Sequence, residues 1–480
     1  MMIALQCLSW MLCVYYLSIN IIYAVLLMES VRATRDHRRL QSSLRYDHSL
    51  ESPLSPPISI LVPARNEEAG VVESVNSLLA LDYPEVEVVV INDGSTDNTL
   101  GKLRDHFHLA ATDIVYVPEI PTNPVRAVYA SAVDRRLIVL DKVSCGRKAD
   151  ALNAGLNAAS SPFVCAIDGD AVLEADSLRR IMAPALNDPM RVIASGGIVR
   201  AGNGCEFEHG QVTKIRLPRK MLEGLQVLEY LRSFLVGRQG WARLDMLLII
   251  SGAFGVFQRD VCRAIGGFRA SAIGEDMDLI VRMHRHCRRT MGSAYRVAFV
   301  PDPVCWTEVP GSLRSLSSQR ARWQNGLADV LRQNFDMTLN PAYGRIGLIA
   351  IPYQWIFELW APVIETAGWI ALIATGFLGL LSQEHLIVLL ISGYLMSALV
   401  SVAAVVMEEV TFHRYNEWAD LLRLIGYCFL EPLFYRPLNT AWRLKGLWHY
   451  LRKKNSWQLL PRSGFAAHPS SGGKSGSAVA

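Results

Sequence analysis

The sequence predicts an α/β domain, doubly wound around a parallel sheet and joined to apolar helices long enough to cross a membrane. Three observations predict it. Short runs of β-branched and other apolar residues alternate with helical patterns between residues 57 and 335, as in sheets that helices cover on both faces. Long stretches almost without charge flank this region. Charged residues make up only 19% of the 480 residues, against about 25% in ordinary soluble domains.

The composition excludes several classes of protein. Hydrophobic residues account for 51% of the chain, which is ample for a core and excludes extensive disorder. The 9 cysteines are odd in number and include no C-x-x-C pair, so that no disulfide scaffold is predicted. The formal net charge of +4 is too small to indicate nucleic acid as a partner.

The first element is a transmembrane anchor over residues 1–30, because residues 3–28 are uncharged and long enough to span the hydrocarbon core. A cleaved signal peptide is the rival interpretation, but no basic region precedes the apolar run and no A-x-A site follows it. The next residues form a basic linker over 31–56 that includes Arg32, Arg35, Arg38 and Arg39. The positive-inside rule therefore places this linker and the domain after it in the cytosol.

The α/β domain is predicted over residues 57–335. Its apolar runs, each interpreted as a buried strand, are 58–62, 86–91, 137–140, 163–167 and 192–195. Its helical patterns are 68–80, 96–108, 148–159 and 174–186. Ligands of such sheets bind beyond the carboxyl ends of the strands, so the polar residues that follow each run are the candidate site.

Three polar turns follow the first, second and fourth of these strands. They are Ala64-Arg65-Asn66-Glu67-Glu68, Asn92-Asp93-Gly94-Ser95-Thr96-Asp97 and Asp168-Gly169-Asp170. We expect them to converge on one edge of the sheet. The two carboxylates of the last turn suit one hard cation, Mg²⁺ or Mn²⁺, which neutralises charge on a diphosphate leaving group.

The sequence lacks the motifs of several other enzyme classes. No G-x-G-x-x-G follows the first strand and no P-loop lysine motif occurs, which disfavours a dinucleotide oxidoreductase and a P-loop NTPase. No serine elbow suits a hydrolase. The segment His284-Arg285-His286-Cys287 is interpreted as a basic helix face rather than a metal site.

Transmembrane or interfacial helices are predicted over residues 345–440. The stretches 346–381 and 386–407 resemble spans, whereas 421–438 contains Glu431, Pro432, Arg436 and Pro437. A basic cytosolic tail with a disordered end is predicted over 441–480. Because its positive charge belongs inside, the number of crossings after the α/β domain should be even. Either 421–438 is interfacial or re-entrant, or 346–381 is broken.

Two further segments leave alternatives open. Glu358 and Glu365 lie seven positions apart on one helix face, where they line a cavity or pair with a neighbouring helix, since carboxylates facing lipid are costly. The basic and leucine-rich stretch 212–243 is either an amphipathic helix on anionic lipid or a core helix with a solvated basic face.

The chain resembles membrane-embedded glycosyltransferases of family 2, which have a GT-A fold. The motifs that carry the resemblance are Pro63-Ala64-Arg65-Asn66-Glu67, Asp93-Gly94-Ser95-Thr96-Asp97, Gly146 to Asn153, Asp168-Gly169-Asp170, Gly274-Glu275-Asp276 and Gln319-Arg320-Ala321-Arg322-Trp323. The last is the Q-x-x-R-W signature. Their combination is typical of synthases of β-linked polysaccharides. The stretch from Ser251 to Gly255 leads into the Gly-Glu-Asp motif without large insertions, which is most similar to the poly-N-acetylglucosamine group.

The resemblance implies a role for each motif. On the donor side, Asp93 would bind the uridine with Ala64 and Glu67 nearby. Asp168 would lie near the nucleotide, Asp170 would hold the metal on the diphosphate, and Lys148, Asp150 and Glu275 would line the donor site. On the acceptor side, Asp276 would be the general base and Trp323 would stack on the acceptor sugar. Arg322 would stabilise the departing diphosphate, and Gln319 would help to position the donor.

The function implied is an inner-membrane, multi-pass enzyme that transfers sugar from a UDP-sugar, with UDP-GlcNAc or UDP-glucose favoured, to a growing β-glycan. Transfer of one sugar to a membrane lipid is the alternative, and a nucleotide-binding receptor without turnover is an alternative of another class. A single N-terminal span is fewer than many polysaccharide synthases have, and we expect no appended regulatory domain because few residues follow residue 410. An export or activating partner protein therefore remains an open expectation.

Overall fold

A computed structural model describes residues 2–41, 55–112, 116–169, 171–208, 210–379 and 382–452. A long helix, α1 (Met2–Gln41), precedes an α/β domain, and a group of apolar helices follows it. The helix extends well past the predicted end of the anchor at residue 30 and into the linker, because the basic residues after Glu29 are also good helix formers.

The α/β domain is built on one large mixed sheet. Its strands are β1 (Ile58–Ala64), β2 (Val86–Asp93), β3 (Leu109–Ala111), β4 (Val125–Ser131), β5 (Leu137–Lys142), β6 (Phe163–Ile167), β7 (Val172–Leu173), β8 (Val192–Ala201), β11 (Phe254–Gln258) and β12 (Arg296–Thr307). Two short strands, β9 (Glu206–Glu208) and β10 (Gln211–Lys214), form a separate hairpin. The order across the sheet is β3-β4-β5-β2-β1-β6-β11-β8-β12-β7.

All five predicted strands are present, and the neighbouring strands β5, β2, β1 and β6 are parallel as expected. The expectation of a purely doubly wound sheet is incomplete, because β11 runs antiparallel between β6 and β8. This strand and β12 carry glycine or proline, which weaken the sequence signal for a central strand.

The four predicted helical patterns are present as the first four helices of this domain, and further helices follow them. The helices are α2 (Val71–Leu79), α3 (Thr99–Phe107), α4 (Lys148–Ala158), α5 (Ser177–Asn187), α6 (Met221–Leu231), α7 (Gln239–Arg243), α8 (Arg259–Ala264), α9 (Glu275–Thr290) and α10 (Leu313–Gln333). Helices α6 and α7 are joined by a π-helical segment, Arg232–Arg238. Apolar side chains fill the space on both faces of the sheet.

The C-terminal helices are interrupted by π-helical turns. They are α11 (Ile351–Tyr353), α12 (Ala361–Phe377), α13 (Gln383–Leu389), α14 (Met396–Thr411), α15 (Trp418–Leu430) and α16 (Arg436–Leu451). The helical stretches Gln6–Arg39 and Gln383–Thr411 are long and apolar enough to cross a membrane. The stretches Ile346–Leu359 and Ala361–Phe377 meet at a bend of 46°, and together they have the length and composition of a broken span or a re-entrant loop.

The break at Trp360 is the interruption of 346–381 that the sequence left open. The predicted tail is helical at its beginning, because α16 continues to Leu451 and packs on α10. Residues 453–480, the predicted disordered end, lie outside the described residues.

Buried polar contacts join the α/β domain to the apolar helices. Arg200 at the end of β8 donates to Glu408 in α14 at 2.7 Å, and both side chains are 2% exposed. Arg414 donates to both carboxylate oxygens of Glu174, at 2.8 and 3.0 Å. Because a bidentate pair fixes orientation as well as distance, the two parts are held in a defined relation.

The stretch 212–243 is divided between the hairpin strand β10 and the helical segment α6–α7. Leu225, Leu228 and Leu231 are buried in the main core. Arg232 on the same segment donates to Ser401 at 2.9 Å and to Glu431 at 2.5 Å. The segment is therefore a core element between the sheet and the apolar helices, rather than a helix lying on lipid.

Candidate active site

Two polar loops at the carboxyl ends of β1 and β2 are held together by reciprocal hydrogen bonds. The Asn66 amide donates to Ser95 Oγ at 3.0 Å, and the Thr96 amide donates to Asn66 Oδ1 at 2.8 Å. Asn66 has a φ of 58°, a left-handed conformation that asparagine tolerates better than most residues. The loops form one edge, with Ala64 buried at its base and Glu67 next to Asn66 in the chain.

Asp93, the last residue of β2, lies in a buried ion cluster. Its Oδ1 accepts from Lys142 Nζ at 3.1 Å and its Oδ2 accepts from Ser144 Oγ at 2.9 Å. Lys142 Nζ also donates to the Asp150 carboxylate. Burial lowers the pKa of Lys142, but its hydrogen bonds to Asp150 and Asp93 outweigh that effect, and the pKa is raised. Two residues predicted to line the donor site are thus brought together through a lysine that the motifs did not single out.

A second lysine joins the first helix of the site to the D-x-D turn. Lys148 Nζ donates to Asp168 Oδ1 at 2.6 Å and to the carbonyl of Gly252 at 2.8 Å. Burial lowers the pKa of Lys148, whereas the negative charges of Asp168, Glu275 and Asp276 raise it by more. Lys148 is therefore a permanent positive charge among four carboxyl and carbonyl groups.

The Gly-Glu-Asp motif faces Lys148 from the start of α9. A Cβ atom built on Gly252 would lie 3.7 Å from the Cβ of Asp276, so that Gly252 contacts both the lysine and the predicted base. Burial and the charge of Asp276 raise the pKa of Glu275, while Lys148 and Arg322 oppose the rise. The motif thus lies within electrostatic range of the Q-x-x-R-W helix.

Two glycines bring α9 and α10 into close contact. A Cβ atom on Gly326 would lie 3.1 Å from the backbone nitrogen of Gly274 and 3.2 Å from its Cα. Few Cβ contacts are that short, and backbone atoms yield little. Since Gly274 directly precedes Glu275, this contact fixes the start of α9 against the middle of α10.

The Q-x-x-R-W signature places its side chains on α10. Trp323 is 44% exposed, and the guanidinium carbon of Arg320 lies 4.3 Å from its ring centroid. Arg320 is buried and donates to Glu229 at 2.6 Å. Gln319 Oε1 is buried without a hydrogen-bond partner among the described residues, although buried polar atoms are normally paired. Arg322 is exposed, so the signature offers a cation, an aromatic face and an amide oxygen to a ligand.

Helix α16 supports α10 from the other side. A Cβ atom on Gly446 would lie 2.4 Å from the carbonyl oxygen of Ala321, so the two helices touch by their backbones. Arg443 donates to Gln324 Oε1 at 2.9 Å and to Glu358 Oε2 at 3.2 Å. The position of the signature helix therefore depends on α16 as well as on the sheet.

The two membrane-segment carboxylates pair with the same helix α16. Glu358 contacts Arg443 at 3.2 Å, and Glu365 accepts from Thr440 Oγ1 at 2.8 Å. Pairing with a neighbouring helix, one of the two alternatives that the sequence left open, is what the structure shows.

Two carboxylates lie at the D-x-D turn. Asp168 is paired with Lys148, and a Cβ atom on Gly169 would lie 4.0 Å from Glu67 Oε1. Mg²⁺ and Mn²⁺ prefer such ligands. The described residues contain no group of three or more His, Cys, Asp or Glu side chains able to hold a metal. Asp170, the predicted metal ligand, lies outside the described residues.

His284 has a structural role in the part of the chain that is described. Its Nε2 lies 2.8 Å from the carbonyl oxygen of Leu247 and its Nδ1 lies 2.9 Å from the hydroxyl of Tyr295. Burial lowers its pKa to about 4. Both ring nitrogens are occupied and His284 is buried, so the interpretation of an exposed basic helix face is wrong for this histidine.

Residues 56–326, more than half of the chain, match the family described as "Glycosyltransferase like family 2". The chain belongs to this family. Its fold is GT-A: the mannosyltransferase PcManGT from Pyrobaculum calidifontis, solved in complex with GDP-Man and Mn²⁺, superposes with a TM-score of 0.52 at 18% identity. That comparison covers 89% of this chain and 99% of the archaeal chain.

Curated relatives of this family member include poly-beta-1,6-N-acetyl-D-glucosamine synthases. The sequence is 26% identical over 308 residues to the synthase of Staphylococcus epidermidis, covering 64% of this chain and 63% of the relative. It is 24% identical over 310 residues to that of Staphylococcus aureus strain COL, with the same coverage. The match thus spans less than two thirds of these relatives' own length.

Proposed function

We propose that this protein is a membrane glycosyltransferase that transfers sugar from a UDP-sugar to a growing β-linked polysaccharide. One observation carries the proposal. Lys148, which pairs with Asp168, and Asp276 at the start of α9 meet at Gly252, and the signature helix packs against Gly274 at the start of α9. The relatedness to poly-beta-1,6-N-acetyl-D-glucosamine synthases supports a polymer as product and UDP-GlcNAc as donor, with UDP-glucose as the second candidate.

The donor would occupy the edge formed by the β1 and β2 loops. Asp93, buried and held by Lys142 and Ser144, would accept hydrogen bonds from the uridine. Asp150, on the same lysine, would fix the wall of that pocket. A divalent cation held by Asp170 and the diphosphate would neutralise charge on the leaving group. Lys148 would hold the Asp168 carboxylate beside the diphosphate.

The transfer would proceed with inversion. Asp276 would take the proton of an acceptor hydroxyl, whose oxygen forms the bond to the anomeric carbon as the bond to the diphosphate oxygen breaks. The leaving diphosphate keeps the electron pair and would be stabilised by Arg322, whose planar fork suits phosphate oxygens. Trp323 would stack on the acceptor sugar with its open face. A β-linkage from an α-linked donor follows from attack opposite the leaving group.

The setting would be the inner membrane, with the catalytic domain in the cytosol. The apolar helices Gln6–Arg39 and Gln383–Thr411 and the basic residues after the first of them support this orientation. The bent pair around Trp360 would give either an even number of crossings after the domain or a re-entrant loop. Export would take place through or beside these helices, with or without a partner protein.

The proposal is tested by incorporation from a panel of radiolabelled UDP-sugars into membranes that contain the protein, with Mg²⁺ or Mn²⁺. Large, water-soluble label from one donor is the expected result and identifies the sugar. Label that partitions into organic solvent would replace the polymer by a lipid acceptor. Absence of label from every donor, with UDP still bound, would instead support a receptor without turnover.

A matched pair of variants tests the base. Asp276→Asn should abolish incorporation while UDP binding is kept, because only the proton acceptor is removed. Asp260→Asn is the control, because the Asp260 side chain on α8 is 88% exposed and no role is predicted for it. Full incorporation by Asp276→Asn would show that another group takes the proton.

A further inference from the structure

Arg320 lies on the signature helix α10 but makes its polar contacts with two other parts of the chain. It is 3% exposed. Its Nη2 donates to Glu229 Oε2 of α6 at 2.6 Å and to the hydroxyl of Tyr435 at 3.2 Å. The Tyr435 hydroxyl in turn donates to the same Glu229 oxygen at 2.6 Å. The three side chains therefore form a closed triangle of hydrogen bonds, which we call the Arg320 triad.

The triad fixes the plane of the Arg320 guanidinium. Hydrogen bonds from Nη2 run in the plane of this group, so they leave its flat faces free for stacking. One face lies against Trp323, since the guanidinium carbon is 4.3 Å from the centroid of the indole ring, well within the range of a cation–π contact. The two residues are three positions apart on α10, where side chains of one helix face meet.

Trp323 depends on this contact because burial does not hold it. It is 44% exposed, whereas tryptophan is highly buried on average. A sugar that stacks on a freely turning ring loses affinity, because binding must then also order the side chain. Since Arg320 covers one face of the indole, the opposite face is the one that a ligand can use.

We infer that Arg320 is a positioning residue: its guanidinium, fixed by the other two members of the Arg320 triad, holds the indole of Trp323 in the orientation in which its open face stacks on the terminal sugar of the glycan acceptor. The inference deepens the proposed function and rests on it, because it takes Trp323 as the surface on which the acceptor stacks. It adds that this surface is oriented before the glycan arrives.

The geometry favours positioning over a simple tie between α10 and α6. The contact of Arg320 with Glu229 is made through one nitrogen, not through the two-pronged contact that makes arginine–carboxylate pairs strong. Its Nε is buried without a hydrogen-bond partner among the described residues. The guanidinium therefore forgoes better pairing with the carboxylate in the orientation that stacks on Trp323.

Tyr435 links the triad to the C-terminal apolar helices. It is the last residue of the π-helical segment Glu431–Tyr435, and it is 1% exposed. At the other end of this segment, Glu431 accepts from Arg232 at 2.5 Å and from Ser401 of α14 at 3.0 Å. The segment is thus fixed at both ends, and the orientation of the indole depends on the apolar helices as well as on α10.

The test uses the full-length protein in detergent or membranes and compares Arg320→Met, Arg320→Lys and the control Arg314→Met. Arg314 lies on the same helix and is exposed. Methionine keeps a long side chain beside the indole but has no charge and no donors. The readouts are KM and kcat for short oligosaccharides cut from the wild-type product, together with inhibition by UDP. Arg320→Met is also combined with Trp323→Ala.

For Arg320→Met we expect the acceptor KM to rise about threefold to thirtyfold, the range of a cation–π contact that is partly or fully desolvated. The kcat at saturating acceptor and the inhibition by UDP should stay within about twofold of wild type. Arg320→Lys should recover part of the loss, and Arg314→Met should elongate normally. In the Trp323→Ala background, Arg320→Met should change the acceptor KM by less than about twofold, because no ring is left to orient.

Several outcomes would overturn the inference. An unchanged acceptor KM in Arg320→Met refutes it, and so does a full effect of Arg320→Met in the Trp323→Ala background, since Arg320 would then act without the ring. Weaker inhibition by UDP with an unchanged acceptor KM would assign Arg320 to the diphosphate instead.

The lysine variant decides if Arg320→Met fails to fold, as judged by loss of UDP binding. A wild-type acceptor KM in Arg320→Lys refutes the need for a flat guanidinium. Loss of UDP binding in Arg320→Lys as well would give Arg320 a structural role alone and overturn the inference. If the wild type binds UDP but elongates no acceptor, the proposed function has failed and the inference falls with it, a result distinct from the others.

Discussion

Replacing Lys142 by methionine should destabilise the fold and weaken UDP binding. The side chain is 0% exposed and lies between Asp93, at 3.1 Å, and Asp150. Both carboxylates are 7% exposed. Lys142→Met keeps the length of the side chain but leaves two buried carboxylates without their cation.

The expected loss of stability follows from the burial of Lys142, Asp93 and Asp150. Removing one partner of a buried ion pair costs about 3–5 kcal/mol, which lowers the unfolding midpoint of a domain of this size by about 10 °C. UDP affinity should fall as well, because Asp93 loses the donor that orients it. Lys102→Met is the matched control: Lys102 Nζ lies 3.5 Å from Glu68, and both side chains are more than 40% exposed, so the cost should stay below about 1 kcal/mol.

The assay is thermal unfolding in detergent together with UDP binding, for both variants and for Lys142→Met combined with Asp150→Asn. The combined variant should regain part of the lost stability, because one of the two stranded charges is gone. Equal midpoints for Lys142→Met and Lys102→Met would refute the reasoning. So would a combined variant less stable than Lys142→Met alone.

Four further predictions concern other parts of the molecule. Burial lowers the pKa of His284 from 6.5 to about 4, so that between these pH values the unfolded chain binds a proton that the folded chain does not. The free energy of unfolding should therefore fall by about 3 kcal/mol as the pH drops from about 6.5 to about 4. The free energy of unfolding of His284→Gln, measured across the same pH range, should lack this dependence. Gly446→Ala should reduce incorporation at least about tenfold, because its Cβ would lie 2.4 Å from the carbonyl oxygen of Ala321. The control Gly426→Ala should be active, because a Cβ at that position meets nothing within 4 Å. Trp323→Ala should keep UDP binding and shorten the product, as seen by gel filtration; chains of normal length would remove the stacking role. Chelation of divalent cations should weaken binding of the UDP-sugar in calorimetry, and unchanged affinity would contradict a metal at Asp170.

The parallel half of the fold was predictable because its signal is local. Runs such as Val88–Ile91 and Phe163–Ile167 are apolar without alternation, a pattern typical of strands covered on both faces. The polar turn after each run then falls at the carboxyl edge by topology alone. The antiparallel strand Phe254–Gln258 was missed because its place between β6 and β8 depends on pairing partners far away in the sequence.

The same limit applies to the site. Lys142 lies two residues beyond the predicted strand 137–140 and resembles a surface lysine in the sequence, since lysine is seldom fully buried. Its role emerges from the register of β2 and β5, which sets Asp93 beside Lys142. The proline-containing strand Arg296–Thr307 shifts register between Phe299 and Val304. The pattern of apolar residues in the sequence does not predict such a shift.

The partners of Glu358 and Glu365 likewise depend on the tertiary structure. The spacing of Glu358 and Glu365 placed them on one face, but the identity of their partners, Arg443 and Thr440, depends on how α16 folds back. The sequence therefore allowed both a cavity and a helix contact.

The backbone contact between Gly446 and Ala321 has a consequence for the order of events during synthesis. The signature helix leaves the ribosome more than a hundred residues before the helix that supports it, and domains generally fold from the N-terminal side as they emerge. The α/β domain can therefore begin to fold before α16 is available to support α10. The contact between Gly446 and Ala321 forms only after the intervening apolar helices have been synthesised, so the candidate site is completed late.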